Sequence, residues 1–216
     1  RRVLLLTGCV QDALSPQINA ATIRVLDALG IQTVSRANSG CCGAVSHHLG
    51  ATAEARDFMR RNIDAWWPEI EQGVEAIVVT ASGCAPMVKE YGHLLAEDTA
   101  YADKAARVSR LAKDISEVVA NEDPGSIVRQ DSNKQKIAFH SPCTLQHGQR
   151  ISGSVEQILE QAGYCLTDVA DSHLCCGSAG TYSILQPGLS GSLRDSKLAT
   201  LQAGQPDMIA TANIGC

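Results

Sequence analysis

Short apolar runs alternate along the chain with longer segments in which apolar residues recur every three or four positions. In the first part of the chain, the runs that predict strands are 3–7, 31–35 and 76–80. The periodic segments that predict helices there are 18–30, 51–67, 86–95 and one or two more within 98–121. In the rest of the chain, strands are predicted at 137–140, 164–169 and 208–211, and helices at 152–162 and 188–203. Strands that alternate with helices indicate a mostly parallel sheet.

The two parts of the chain repeat one pattern of cysteines. Cys9 and Cys41 lie 32 positions apart, and so do Cys143 and Cys175. Both intervals end in Cys-Cys-Gly, within SGCCGAV and HLCCGSA, and a further cysteine follows each motif after 42 and 40 positions. The flanks agree as well, because IVVTASGC leads to the last cysteine of the first copy and MIATANIGC to that of the second. Four matched cysteine positions indicate an internal duplication.

The duplication predicts an α/β protein of two similar lobes in a pseudo-two-fold arrangement, each with a small, mostly parallel sheet flanked by helices. We expect the first lobe to span residues 1–122 and the second to span 135–216. The polar segment 121–135, NEDPGSIVRQDSNKQ, carries Pro-Gly and is the best candidate for a linker. Because the sequence lacks an initiator Met and stops at a cysteine, Cys216, we expect it to be a fragment trimmed at both ends, with the carboxyl end of the second lobe truncated.

Composition and charge exclude several classes of function. Aromatic residues make up only 4% of the chain, which is too few for a stacking surface that binds single-stranded nucleic acid. The formal net charge is −5 and no dense basic run occurs, so we expect no nucleic-acid partner. No apolar stretch approaches the roughly eighteen residues of a transmembrane helix. Nine cysteines without a sign of secretion favour metal or redox chemistry over a disulfide framework.

The predicted sheets bring the distant cysteines together. In open parallel sheets, the loops at the carboxyl ends of the strands gather at one edge, and each matched cysteine follows a predicted strand. The first set is Cys9, Cys41, Cys42 and Cys84, and the second set is Cys143, Cys175, Cys176 and Cys216. The glycine after each Cys-Cys pair supplies the dihedrals that turn two successive thiolates toward one centre. Backbone N–H groups at the start of the following helix can offset the sulfur charge.

Four thiolates in one place suit either zinc or an iron–sulfur cluster. Structural zinc sites use compact pairs of cysteines two to four residues apart, and adjacent cysteines with long spans fit that pattern poorly. A multi-iron cluster offers separate iron atoms to neighbouring thiolates. The chemistry therefore favours an iron–sulfur cluster, with zinc as the alternative.

The spacing of a cysteine, Cys-Cys-Gly and a late cysteine resembles the duplicated cysteine-rich CCG domain. This domain occurs in heterodisulfide reductase, in anaerobic glycerol-3-phosphate dehydrogenase and in lactate-utilisation and glycolate oxidase iron–sulfur subunits. Among these, the chain is most similar to the glycolate oxidase (glycolate dehydrogenase) iron–sulfur subunits. The stretches that carry the resemblance include NAATIRVLDALGI, GCCGAVSHHLG, FHSPCTLQH, DSHLCCGSAGTYSILQP and MIATANIGC.

The resemblance implies an electron-transfer subunit that carries no catalytic residues of its own. A flavin (FAD) subunit would oxidise glycolate, and this chain would pass electrons toward a membrane quinone. It implies [4Fe-4S] clusters on the two sets of four cysteines, and a cytoplasmic protein that is peripheral on the inner face of the plasma membrane. No dinucleotide-binding glycine motif follows a strand, so we expect neither flavin nor nicotinamide on this chain.

The chain departs from the family pattern at three points. The first copy has Met87 where the family has a fifth cysteine, and we expect Met87 to pack rather than to ligate. The fifth position of the second copy lies beyond Cys216. The given sequence does not include the ferredoxin-like amino-terminal domain of the family; if the natural protein lacks that domain, we expect the electron path through this chain to be incomplete.

Several other residues have simpler interpretations. Cys165 lies on a predicted strand and is expected to be a buried structural thiol. His47 and His48 are expected on a loop or helix surface, and Trp66 and Trp67 at a core edge or subunit interface. Three further histidines flank the second set of cysteines and could hydrogen-bond sulfur or relay protons: His140, His147 and His173.

Other functions remain open at this point. A disulfide-reducing subunit would use paired clusters directly, although the missing fifth cysteine of the first copy argues against it. A lactate-oxidising complex would use the same chain with another donor. A zinc-binding interaction scaffold would need no redox chemistry at all.

Overall fold

A computed structural model describes residues 1–123 and 135–216. The chain divides into two compact units, Arg1–Val118 and Val119–Cys216. Each unit has its own all-parallel sheet, which confirms the predicted α/β class and the two similar lobes. Most of the proposed linker, positions 124–134, lies outside the described residues. In the part of the chain that the structure describes, no helix is long and apolar enough to cross a membrane.

The elements of the first unit alternate between strands and helices. In chain order they are β1 (Arg2–Leu6), α1 (Cys9–Leu14), α2 (Pro16–Ala28), β2 (Gln32–Val34), α3 (Ala44–His48), α4 (Thr52–Glu71), β3 (Ile77–Val79), α5 (Ala85–Lys89), α6 (Tyr91–Leu94), α7 (Ala102–Leu111), β4 (Ala112–Asp114) and α8 (Ile115–Val119).

The sheet of the first unit has the strand order β2-β1-β3-β4. Leu4 of β1 is paired with Val34 on one side and Ile77 on the other. Leu4 and Leu6 point into a core beneath α4, whereas Val3 and Leu5 point into a second core on the opposite face. Because both faces of β1 are covered, its sequence is a continuous apolar run rather than an alternating one.

The one or two helices expected within 98–121 are α7 and α8, as predicted. The short strand β4 between them was not predicted, because Lys113 and Asp114 give no apolar run. The helix expected at 86–95 is broken between α5 and α6. Ser109 of α7 lies at the break, where its Oγ accepts the Gly92 N–H at 2.8 Å and donates to the Val88 carbonyl at 3.4 Å. A side chain that enters the backbone ladder in this way interrupts a helix.

The second unit is smaller and follows the same plan. Its elements are β5 (Lys136–His140), a π-helical turn (Thr144–Gly148), α9 (Ser154–Gln161), β6 (Cys165–Leu166), α10 (Tyr182–Leu185), α11 (Pro187–Gln202) and β7 (Met208–Thr211). The strand order is β6-β5-β7, so β5 has a parallel neighbour on each side, as β1 does in the first unit.

Cys165 is exposed, and its predicted burial was wrong. It lies on β6, which pairs with β5 alone and has two residues instead of the predicted six. A side chain on such a short edge strand is covered on few sides, so the apolar character of the segment did not place it in the core.

The two adjacent tryptophans of α4 have different environments. Trp66 is fully buried in the core of the first unit. Trp67 is partly exposed and donates its Nε1–H to Glu71 Oε1 at 2.9 Å. The Nζ atom of Lys104 lies over its ring, 5.1 Å from the ring centroid. Trp66 is therefore a core residue rather than a residue of the core edge.

We expect Trp66→Ala to lower the free energy of unfolding of the first unit by about 3–5 kcal/mol, because it leaves a large cavity. Trp67→Ala is the matched control and should cost less than about 1.5 kcal/mol, since it removes a partly exposed ring, a surface hydrogen bond and one cation–π contact. Denaturant unfolding can be followed by the fluorescence of the remaining tryptophan, because both tryptophans of the chain lie in this unit. Equal losses in the two variants would contradict the assignment.

Candidate metal centres

The four matched cysteines of the first unit meet at the carboxyl edge of its sheet. Cys9 begins α1 just after β1, and Cys84 precedes α5 after β3. Cys41 and Cys42 lie in the loop between β2 and α3. Their thiols form a continuous series of contacts, from Cys9 to Cys41, then to Cys42 and then to Cys84.

The matched cysteines of the second unit also meet at one sheet edge. Cys143 lies between β5 and the π-helical turn, and Cys216 follows β7. Cys143 contacts Cys175, and Cys176 contacts Cys216. The charges of Cys143 and Cys216 also influence each other, so the two pairs belong to one group. In each unit the structure thus gathers the four thiols that the repeat pattern selected.

Backbone N–H groups face the sulfurs in the same way in both units. Gly43 N–H donates to Cys41 Sγ at 3.4 Å, and Gly177 N–H donates to Cys175 Sγ at 3.3 Å. The next N–H in each copy, from Ala44 or Ser178, favours the thiolate of the second cysteine of the pair. These N–H groups place partial positive charge beside the sulfurs, whether or not a metal is bound.

The glycine of each Cys-Cys-Gly motif is required by both its backbone and its neighbours. Gly43 has a φ of 86° and Gly177 a φ of 88°, in the left-handed region that favours glycine. A Cβ on Gly43 would lie 3.0 Å from the Ala55 carbonyl oxygen, and a Cβ on Gly177 would overlap the Ser190 carbonyl oxygen. The motif therefore lies directly against the following long helix, α4 in the first unit and α11 in the second.

Buried polar side chains hold the first motif from behind. Asn62 of α4 accepts the Gly40 N–H at 2.9 Å and donates to the Cys41 carbonyl at 2.9 Å. Tyr91 donates its hydroxyl hydrogen to the Cys42 carbonyl at 2.9 Å and accepts from Asn62 at 3.0 Å. Both side chains are at most 1% exposed. The sequence analysis missed them, although a polar residue within the apolar stripe of a helix is a usable signal.

A buried lysine takes the corresponding place in the second unit. Lys197 of α11 is 4% exposed and donates to the carbonyls of Asp171 at 2.8 Å and Ser172 at 3.4 Å. Burial lowers the pKa of Lys197, while Asp171 and the Cys175–Cys176 pair act in the opposite direction. The ammonium group of Lys197 thus fixes the loop before the second motif to α11. In the first unit, the side-chain amide of Asn62 fixes the corresponding loop to α4.

Thiol–thiol contacts dominate the electrostatics of the first group. The hydrogen bond that Cys41 gives to Cys42, followed by burial, raises the pKa of Cys41. The same contact lowers the pKa of Cys42, but the contact with Cys84 and burial outweigh it and raise that pKa to about 12. Burial raises the pKa of Cys9 as well. Thiolates this close repel one another, and the repulsion favours the protonated thiols. A bound cation removes this repulsion and allows the thiolates to form.

His140 joins the thiols of the second group. His140 is the last residue of β5 and is 4% exposed. One of its ring nitrogens, Cys176 Sγ and Cys216 Sγ all lie within 4.8 Å of one another. The contact with Cys216, followed by that with the imidazole, lowers the pKa of Cys176, and the same contact raises the pKa of Cys216.

The other candidate residues are exposed or partly exposed, or they pack in the core. Met87 is 4% exposed and belongs to the core of the first unit, which agrees with packing. His48 is exposed and His47 partly exposed at the end of α3. His147 and His173 are exposed, and His147 Nε2 lies 3.2 Å from the His173 carbonyl oxygen.

The donor sets fit an iron–sulfur cluster in each unit. All eight donors are sulfur, adjacent cysteines are turned toward a common group of thiols, and N–H groups are directed at their charge. A zinc ion would also accept four thiolates, but both thiolates of the adjacent Cys-Cys pair would then have to bind the same atom.

Comparison with known proteins agrees with the duplicated pattern. The CCG cysteine-rich domain family matches residues 3–89 and 137–216. The chain belongs to the CCG cysteine-rich domain family. The two matched ranges confirm the internal duplication and the family resemblance of the cysteine spacing.

Individual relatives cover the whole chain. It is 55% identical to the glycolate oxidase iron-sulfur subunit of Escherichia coli over 100% of this chain and 53% of the relative. It is 31% identical to the probable glycolate oxidase iron-sulfur subunit of Bacillus subtilis, over 100% of this chain and 48% of that protein. Lactate utilization protein A of Bacillus licheniformis is 26% identical over 100% of this chain and 88% of its own length. The chain spans about half the length of the first two relatives.

We expect Gly177→Ala to destabilise the second unit more than Gly153→Ala. Both glycines have positive φ, but the Cβ of an alanine at 153 meets nothing within 4 Å, whereas at 177 it collides with α11. The control should cost about 1–2 kcal/mol from the left-handed backbone. Gly177→Ala should cost about 1–3 kcal/mol more, because the helix must shift. Denaturant unfolding followed by circular dichroism measures both, and equal losses would contradict the close approach.

Proposed function

We propose that this chain is the iron–sulfur electron-transfer part of a glycolate-oxidising complex. The observation that carries the proposal is the gathering of two groups of four thiols in a chain that is 55% identical, over its whole length, to a glycolate oxidase iron-sulfur subunit. A flavin-containing partner subunit would oxidise glycolate, and this chain would deliver the electrons toward a quinone. The complex would lie in the cytoplasm, peripheral on the inner face of the plasma membrane.

Each lobe would hold its own cluster, with the lobes taken as residues 1–122 and 135–216. The ligands of the first would be Cys9, Cys41, Cys42 and Cys84, and those of the second Cys143, Cys175, Cys176 and Cys216. When bound, such a cluster, here proposed as [4Fe-4S], accepts and releases single electrons.

The protein's own contribution is to hold the thiolates in place and to set the cost of adding negative charge. The N–H groups of Gly43 and Gly177 donate to sulfur and therefore favour the more reduced, more negative state. Asn62 and Tyr91 fix the carbonyls of the first Cys-Cys pair, so that the two sulfurs keep their direction. Burial of the surrounding core lowers the local dielectric constant, which strengthens each of these interactions.

We expect anaerobically purified protein to contain iron and acid-labile sulfide, with two spectroscopically distinct centres in these lobes. Cys41→Ser should remove one centre and Cys175→Ser the other, each with a loss of about one cluster's content of iron, because a thiolate ligand is lost. Cys165→Ser is the matched control and should change neither, since Cys165 is exposed on β6 away from the matched positions. Metal analysis and EPR provide the measurements. Stoichiometric zinc without iron would favour the zinc-binding scaffold instead.

We expect the complete complex to reduce a quinone analogue when glycolate is supplied. Cys41→Ser or Cys175→Ser should lower this rate more than about tenfold, because an electron carrier is lost. Reduction of a dye that takes electrons directly from the flavin should continue in both variants, and Cys165→Ser should behave like the native protein. A complex that responds to lactate and not to glycolate would favour the function for which the lactate utilization relatives are named. Reduction of a disulfide by an artificial donor would favour the disulfide-reducing alternative.

A further inference from the structure

His140 is a buried polar residue at the end of the central strand of the second unit. It is 4% exposed, and neither of its ring nitrogens has a hydrogen-bond partner of good geometry among the described residues. Buried polar groups in folded proteins are nearly always paired, because removing them from water otherwise costs about 1–3 kcal/mol. The polar neighbours of the imidazole are the thiols of Cys176 and Cys216, which are weak partners, so its burial requires an explanation.

The first unit shows that the position does not require a polar side chain. Leu6 precedes Cys9 by three residues, as His140 precedes Cys143, and each ends a strand with parallel neighbours on both sides. Leu6 is 1% exposed and packs in the core of the first unit. An aliphatic residue thus satisfies the fold at this place, and the histidine of the second unit serves another purpose.

The surroundings of the imidazole are those of a metal ligand. A ring nitrogen of His140 lies within 4.8 Å of both Cys176 Sγ and Cys216 Sγ, and those two sulfurs also lie within 4.8 Å of each other. Thiols are weak hydrogen-bond donors and acceptors and do not offset the burial of an imidazole. A metal atom among the three would bind a lone pair from each.

We propose that His140 is a nitrogen ligand of the second metal centre, beside the thiolates of Cys176 and Cys216. The inference rests on the proposed cluster function and makes the two centres of the chain chemically different. The first group offers sulfur only, with Leu6 at the matching position, whereas the second offers sulfur and one neutral nitrogen. Unlike a further thiolate, the imidazole adds a ligand to the centre without adding negative charge.

The test is pulsed EPR on the complete protein, purified anaerobically from its host and reduced, with ¹⁵N-labelled histidine in a parallel sample. The native protein should show a strong hyperfine coupling to a histidine nitrogen. The coupling should disappear in His140→Leu, which places the residue of the first unit at this position and is therefore expected to fold. It should persist in His147→Leu, the matched control for an exposed histidine near the same cysteines. It should also persist in Cys41→Ser and be lost in Cys175→Ser, which assigns it to the second centre.

A second variant measures the effect on electron affinity. His140→Cys replaces the imidazole by a thiolate and should lower the midpoint potential of the second centre alone. In a redox titration followed by EPR, the ratio of reduced to oxidised centre at a fixed potential should fall about tenfold, which is 59 mV for a one-electron couple.

The possible outcomes separate this inference from the proposed function. Clusters that are present in native protein without a strong histidine coupling, or with only the weak coupling of an N–H···S contact, would overturn the role of His140 and leave the cluster function intact. A coupling that survives in His140→Leu would overturn it as well. Protein with neither iron nor sulfide would overturn both proposals together.

Discussion

The parallel pairing of three strands in each unit is the constraint on which the cysteine groups depend. Both β1 and β5 have a parallel neighbour on each side. Parallel strands end at the same edge of a sheet, so the cysteines in the loops after these strands meet at that edge. They meet there even though more than thirty residues separate the cysteines of one loop from those of the next. The long spacing that hides the group in a motif search is therefore a direct result of the helices that connect parallel strands.

The two units solve the same packing problem with different polar residues. In both, the Cys-Cys-Gly backbone lies against a long helix so closely that only glycine fits. The helix then fixes the adjoining loop, through the neutral Asn62 in the first unit and through the buried ammonium of Lys197 in the second. A lysine costs more to bury than an amide unless negative charge is nearby, and the Asp171 carboxylate supplies it, together with Cys176 and Cys175 when these are thiolates. The duplicated scaffold thus surrounds two similar groups of sulfurs with unequal charge.

The sequence predicted the strands, the parallel class and the grouping of cysteines well, because apolar runs and strand ends are local features. It failed where a distant side chain decides the local structure. Ser109 breaks the helix that the pattern at 86–95 predicts, and β4, in which Ala112 is the one apolar residue, is defined by its pairing with β3. The roles of Asn62, Tyr91 and Lys197 depend on contacts across 20 or more positions, and no short motif contains them.

The position of the last cysteine of each group has a consequence for synthesis on the ribosome. In the first unit, three of the four thiols have emerged by Cys42, but Cys84 follows β3, which must pair with β1 before the edge is complete. In the second unit Cys216 follows β7 in the same way. Each group therefore lacks its last thiol until about forty residues have been added after its Cys-Cys pair. All four thiols of the first group are present in the chain before Cys143, the first thiol of the second group, is added.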